Sequence, residues 1–149
     1  LGCRHMKRSL LPTLLIVAGC NAPQPIEPEP IARTIYWSDG DSGSIGNEKF
    51  RLANVDAPET CRIGSRGGAK CQQDRERGYR AKAFIVDLTR GAELTITERY
   101  EPDRYGRVVL SLSANGVSVT EAAIKQGHLA PWAHRNGRPL VDKPDWCDR

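Results

Sequence analysis

The pattern of apolar and polar positions divides the chain into short strands and two helices. Ile31–Ser38, "IARTIYWS", is rich in β-branched and aromatic residues and predicts a first strand. Asp39-Gly40 is a hairpin-type turn, Ser42–Ile45 a short second strand, Gly46-Asn47 another turn, and "KFRLANV" a third strand. "DAPETCRIGSRGGAK" then breaks the alternation, because Pro58 and three glycines forbid long regular structure. A helix is predicted from about Asp74 to Thr89, where Ala81, Phe84, Ile85 and Leu88 fall on one stripe at i, i+3, i+4 and i+7. Its outer face carries Arg75, Arg77, Arg80 and Lys82. "AELTITERY" and "RVVLSLSA" alternate again and predict strands four and five. Asn115-Gly116 is a strong turn signal. "SVTEAAIKQG" opens with Ser118 and Glu121 in capping-box spacing and stops at Gly127, so it predicts a short helix. The remainder, with Pro131, Pro139 and Pro144, reads as a tail, ordered or loose.

Five short strands with a helix between the third and fourth match the order of an OB-fold, a small barrel that closes its own edges. The expected class is therefore α+β dominated by β: a five-stranded OB-fold barrel with two or three helices. That domain is expected to span residues 31–149.

The amino end has a different character. Lys7 and Arg8 precede "SLLPTLLIVAG", an apolar run too short to span a bilayer, which takes about 20 residues. It reads as the apolar part of a signal peptide covering residues 1–19. Met6 before "KRSLL" has the form of a start, so that Leu1–His5 would precede translation. "VAGC" resembles a bacterial lipobox, which implies cleavage before Cys20 and a lipid on its thiol; a plain secretory signal ending nearby is the alternative. "NAPQPIEPEP" supplies prolines at 23, 25, 28 and 30, a density that favours polyproline II and makes residues 20–30 a stiff tether. The expected location is the bacterial cell envelope, exported and lipid-anchored.

Charge changes the picture little. The formal net charge is +4, but Arg4, Lys7 and Arg8 lie in the signal segment, and the rest holds 19 basic against 18 acidic residues. An argument for an anionic partner has to rest on local charge. Between Arg62 and Lys82 the chain places basic residues at 62, 66, 70, 75, 77, 80 and 82 against Asp74 and Glu76, a patch able to follow a phosphate backbone. The other reading is a solvated loop and helix face. Export favours one disulfide among Cys61, Cys71 and Cys147, and the sequence leaves the pairing open between Cys61–Cys71 and Cys71–Cys147. A zinc site using His128 or His134 has no C-x-x-C or H-x-x-x-H spacing behind it.

Candidate chemistry gathers between Asp39 and Thr60, where five carboxylates surround the lone Arg51. Asp41 follows a turn and Asp56 ends the third strand, positions that a small barrel can bring together. Hard cations such as Ca²⁺ take oxygen ligands from carboxylates, carbonyls and water, and Asp41, Asp56 and the Ala57 carbonyl are the candidates. Glu59, past the turn at Pro58, is placed to hold a water as general base. Arg51, mid-strand between Phe50 and Leu52, needs a partner. Arg107 follows "DRYG". Two guanidiniums aimed at one phosphate stabilise the charge that builds at phosphorus. Taken singly, each piece has an ordinary reading as a turn, loop, ion pair or solvated hairpin.

Together, "DGDS", "FRLANVDAPET", "DRYGR" and "VTEAAIKQG" resemble the staphylococcal nuclease family, over about Ile35 to Trp132. The resemblance implies a Ca²⁺-dependent endonuclease acting on DNA and/or RNA and leaving 3′-phosphate ends. It implies metal ligation by Asp41, Asp56 and the Ala57 carbonyl, Glu59 as general base, and Arg51 and Arg107 on the phosphate. Arg104 and Tyr105 would contact substrate, and Trp132 would offer a stacking surface. The chain departs from the family pattern at Ser42 and Ala57, where threonine is common, in the cysteine-flanked loop 61–71, and in a proline-rich tail unlike a final helix. A monomer is expected. The alternative is a non-catalytic OB-fold domain that binds nucleic acid at the envelope.

Overall fold

The computed structural model describes residues 27–148. The expected signal segment, Cys20 and the expected tether up to residue 26 lie outside the described residues. The elements, in chain order, begin with β1 Glu29–Pro30, β2 Ile35–Trp37, β3 Ser42–Ile45, β4 Glu48–Leu52, β5 Val55–Asp56 and α1 Gln72–Thr89. They continue with β6 Leu94–Tyr100, β7 Val108–Ala114, β8 Val117–Ser118, α2 Val119–Lys125, β9 Ala130–Pro131, β10 His134–Arg135 and β11 Arg138–Pro139.

The main sheet is mixed, with strand order β1-β6-β7-β4-β3-β2. Strands β2, β3 and β4 form an antiparallel meander, and α1 carries the chain across so that β7 lies parallel to β4. The two ends of this path, β1 and β2, are joined by residues 31–34 alone, so the chain steps from one edge of the sheet to the other. This is the β-dominated α+β, OB-type architecture expected. Pairing begins earlier than the expected domain boundary: Glu29 and Pro30 pair with Ile96 and Thr95 at the sheet edge, where proline's missing N–H costs no ladder bond.

Alternation buries one face of each long strand. Phe50 and Leu52 of β4, Ile96 of β6, and Leu110 and Leu112 of β7 meet Ile85 of α1 and Val119 of α2 in one core. Trp37 packs edge-on against Phe50 at 5.2 Å and donates its indole N–H to Thr89 at 3.0 Å. The buried line of α1 runs Asp74, Gly78, Ala81, Ile85, Thr89, with Phe84 and Leu88 only partly covered. The line is rotated from the expected stripe because Gly78 lets the helix press against the backbone of residues 58–59.

The proline-rich carboxyl end is ordered. β9 pairs with β5, β10 and β11 form a small hairpin, and the last residues return to α1 through a disulfide between Cys71 and Cys147. Of the two pairings left open by the sequence, Cys61–Cys71 is not adopted, and Cys61 is exposed and free.

Candidate active site

Three connections place the acidic residues. The turn before β3 positions Asp41, whose backbone carbonyl accepts the Leu52 N–H at 2.8 Å. Gly40 in that turn lies so close to α1 that a Cβ would stand 2.9 Å from the Ala81 methyl. A left-handed residue, Asn54, then reverses the chain between β4 and β5 and sends Asp56 back beside Arg51. The segment after Pro58 is held by α1. Asp74, almost fully buried, accepts the Glu59 N–H on one carboxylate oxygen and the Lys70 N–H on the other, both at 2.9 Å. A Cβ on Gly78 would meet the Glu59 carbonyl oxygen at 2.5 Å. Gly78→Ala is therefore expected to displace the Glu59 backbone and cost roughly 1–3 kcal/mol, read as a fall of several degrees in melting temperature.

These connections bring the charged groups into one network. Arg51 Nη2 lies 3.1 Å from Asp41 Oδ2 and 3.6 Å from Asp56 Oδ1, and donates to the Val55 carbonyl at 3.0 Å. Asp41 also accepts the Ala57 N–H at 3.2 Å and the Ser42 hydroxyl at 2.7 Å. Arg107 reaches the same Ser42 oxygen at 3.2 Å, so the second guanidinium joins the cluster through one hydroxyl. Its Nε and Nη2 both lie 2.7 Å from Asp103. Burial pushes the Asp103 carboxyl up, but bonds from Arg107 and the Tyr105 N–H outweigh it, leaving the group below its ordinary value.

Two residues absent from the sequence expectations complete the cluster. Lys143 Nζ lies 2.9 Å from Glu59 Oε1 and 3.5 Å from Asp56 Oδ1. Trp146 donates its indole N–H to Asp56 Oδ2 at 2.9 Å. Burial raises the Asp56 carboxyl above its ordinary value, against the lowering effect of Trp146 and Lys143. Burial likewise raises Glu59, with Lys143 opposing. For Lys143 burial acts downward, but the bond to Glu59 and the charge of Asp56 prevail and raise it.

Beside the cluster runs a groove of about 620 Å³ lined by Arg51, Arg104, Tyr105, Arg107, Trp132 and His134 among others. Tyr105 is exposed and lies under the guanidiniums of Arg104 and Arg107, at 4.8 and 5.6 Å. Trp132 has the Arg51 guanidinium 5.3 Å from its ring centre and meets His134 edge-on at 4.4 Å. His128 stacks on Phe84 at 4.5 Å instead. A hollow of equal volume lies elsewhere, between β1 and the β3–β4 turn, where Arg99 is already taken by Glu29 and Glu48. The acidic cluster adjoins the first groove through Arg51 and Arg107, which belong to both.

The donors suit an oxygen-seeking cation. One oxygen of Asp41 and one of Asp56 turn toward the same Arg51 nitrogen, and the residue 57 backbone lies against Asp41. Among the described residues no group of three or more His, Cys, Asp or Glu side chains forms a metal cage, so water has to fill most of the sphere of a cation held here.

A family model described as "Staphylococcal nuclease homologue" matches residues 49–143, well over half of the chain. The matched span takes in Arg51, Asp56, Ala57, Glu59, Arg104, Tyr105, Arg107 and Lys143, and it begins after Asp41. No curated protein matches the chain.

Proposed function

The chain belongs to the staphylococcal nuclease family, and from that premise we propose that this nuclease-like domain is a Ca²⁺-dependent endonuclease cutting DNA and/or RNA. The observation that supports it is the continuity of the charged network. Arg107, Ser42, Asp41, Arg51, Asp56, Lys143 and Glu59 are linked by successive contacts of 3.6 Å or less. The network ties both guanidiniums, two aspartates and a glutamate into one connected cluster beside the groove.

In this reading Asp41, Asp56 and the Ala57 carbonyl would hold the cation, which would supply Lewis acidity toward the phosphoryl group. Glu59 takes the proton of the attacking water, and burial makes it a stronger base than a solvated glutamate. Arg51 and Arg107 donate to the non-bridging oxygens as negative charge builds on them. Arg104 carries the strand past the site, and Tyr105 and Trp132 offer faces for unstacked bases, so single-stranded or frayed substrate fits best. The protein works as a monomer, exported and held to the envelope by a lipid on Cys20.

Digestion of plasmid and of RNA in Ca²⁺, in Mg²⁺ and in chelator tests the proposal. Cutting in Ca²⁺ that stops in chelator is expected; no cutting with any metal rejects it. One observation favours a second reading, a non-catalytic binding domain: Glu59 and Arg107 are both engaged by internal partners. A mere binder keeps its affinity in chelator and never cuts.

Binding itself should depend on salt. Arg104→Ala is expected to weaken oligonucleotide binding similarly across sequences and to reduce the slope of log affinity against log salt by about one phosphate contact. Fluorescence anisotropy across a salt series, in chelator, reads both.

A further inference from the structure

Asp56 and Glu59 share a single ammonium, and the chain holds that ammonium in place from both sides. Upstream of Lys143, the Val141 carbonyl accepts the Trp132 indole N–H at 3.1 Å, and the Leu140 N–H donates to the Ala133 carbonyl at 2.9 Å. Downstream, Pro144 and Trp146 are buried, Trp146 donates to Asp56, and Cys147 is bonded to Cys71, the residue that caps α1. The ammonium between these anchors lies 5.9 Å from the Trp132 ring centre and contacts both carboxylates. Arg51 serves Asp41 and Asp56 but makes no such contact with Glu59, so Lys143 is the cation that joins Glu59 to the rest of the cluster.

We propose that Lys143 is the built-in counter-cation of the Asp56–Glu59 pair, a positioning residue that orients Glu59 and lowers the site's affinity for a divalent metal ion. The proposal rests on the metal-dependent reading above. Its first half follows from geometry: Glu59 Oε1 accepts, at 2.9 Å, a bond from the ammonium that lies 3.5 Å from Asp56 Oδ1. Its second half follows from Coulomb's law. Calcium lies about 2.4 Å from a carboxylate oxygen it binds. A cation on Asp56 Oδ1, which lies 3.5 Å from the ammonium, would therefore stand within about 6 Å of it, a separation at which a double and a single positive charge repel by about tenfold in affinity even at the dielectric constant of water. The Lys143 side chain is 38% exposed, so solvent screening and side-chain movement reduce the effect.

Calcium alone is the probe. It is titrated calorimetrically into the parent chain and into Lys143→Met, Lys143→Gln and Lys143→Arg, with melting temperatures recorded in chelator. The neutral variants are expected to bind Ca²⁺ roughly three- to tenfold more tightly and to melt lower without metal, because Asp56 and Glu59 then face each other with one cation fewer. Lys143→Arg is expected to track the parent in both. Unchanged or weaker Ca²⁺ affinity in both neutral variants overturns the proposal. So does parental Ca²⁺ affinity accompanied by a raised KM for nucleic acid, which makes Lys143 a substrate contact. A parent that takes up no Ca²⁺ at millimolar concentration rejects the metal-dependent reading, and this inference with it.

Discussion

Glu59→Gln is expected to slow digestion by about two to four orders of magnitude while the melting temperature stays within a few degrees of the parent. The amide keeps the size and shape of the carboxylate, and the backbone bond to Asp74 is untouched. What disappears is the ability to take a proton from water. The two arginine variants separate chemistry from stability. Arg107→Ala leaves Asp103, a half-buried carboxylate that retains N–H bonds from Tyr105 and residue 107, so the loss falls mainly on rate, about 10²–10³. Arg51→Ala removes the cation between two buried aspartates and should also cost on the order of 3 kcal/mol in stability. Plasmid digestion rates beside thermal melts for the three variants give the answer. Three variants that digest like the parent remove the proposed chemistry.

Legibility in the sequence followed the range of the interactions. The strands and α1 were readable because burying one face imposes a period on neighbouring residues, and α2 because Ser118 caps it locally. The cluster around Arg51 was readable because Asp41, Asp56 and Glu59 lie close together in the chain, on either side of Arg51. Lys143 and Trp146 were not, since their partners lie 84 and 90 residues away and "VDKPDWC" has no periodicity to betray burial. One signal was available: Cys147 directly follows a tryptophan, and the Cys71–Cys147 pairing that the sequence left open pins this stretch back onto the domain. In the sequence Asp74 marks only the start of a helix. Its second role, holding the Glu59 N–H, depends on Gly78 allowing α1 to approach, a fact of packing and not of pattern.

The largest effect on stability should come from the disulfide. Cys147→Ser opens a loop closed across 76 residues, and the chain-entropy argument sets the cost at roughly 4 kcal/mol. For a domain of this size that is a fall of about 10–20 °C in melting temperature. The tail does more than shorten the unfolded chain: once released it takes Trp146 from Asp56 and Lys143 from Glu59, so activity should fall with the anchor even below the new midpoint. Trp146→Phe isolates the second part. It keeps the disulfide and most of the packing but leaves Asp56 Oδ2 without its indole donor, a loss of about 1–3 kcal/mol for a buried charged acceptor. Cys61→Ser is the control, since that exposed thiol is unbonded and its loss should leave the melting temperature unchanged. Calorimetry with and without reductant distinguishes the cases: the parent should drop to the Cys147→Ser value when reduced, and Cys147→Ser should not respond. A reduced parent that melts at its oxidised temperature would mean the strap is held by packing alone, and the covalent tie would then have no part in shaping the site.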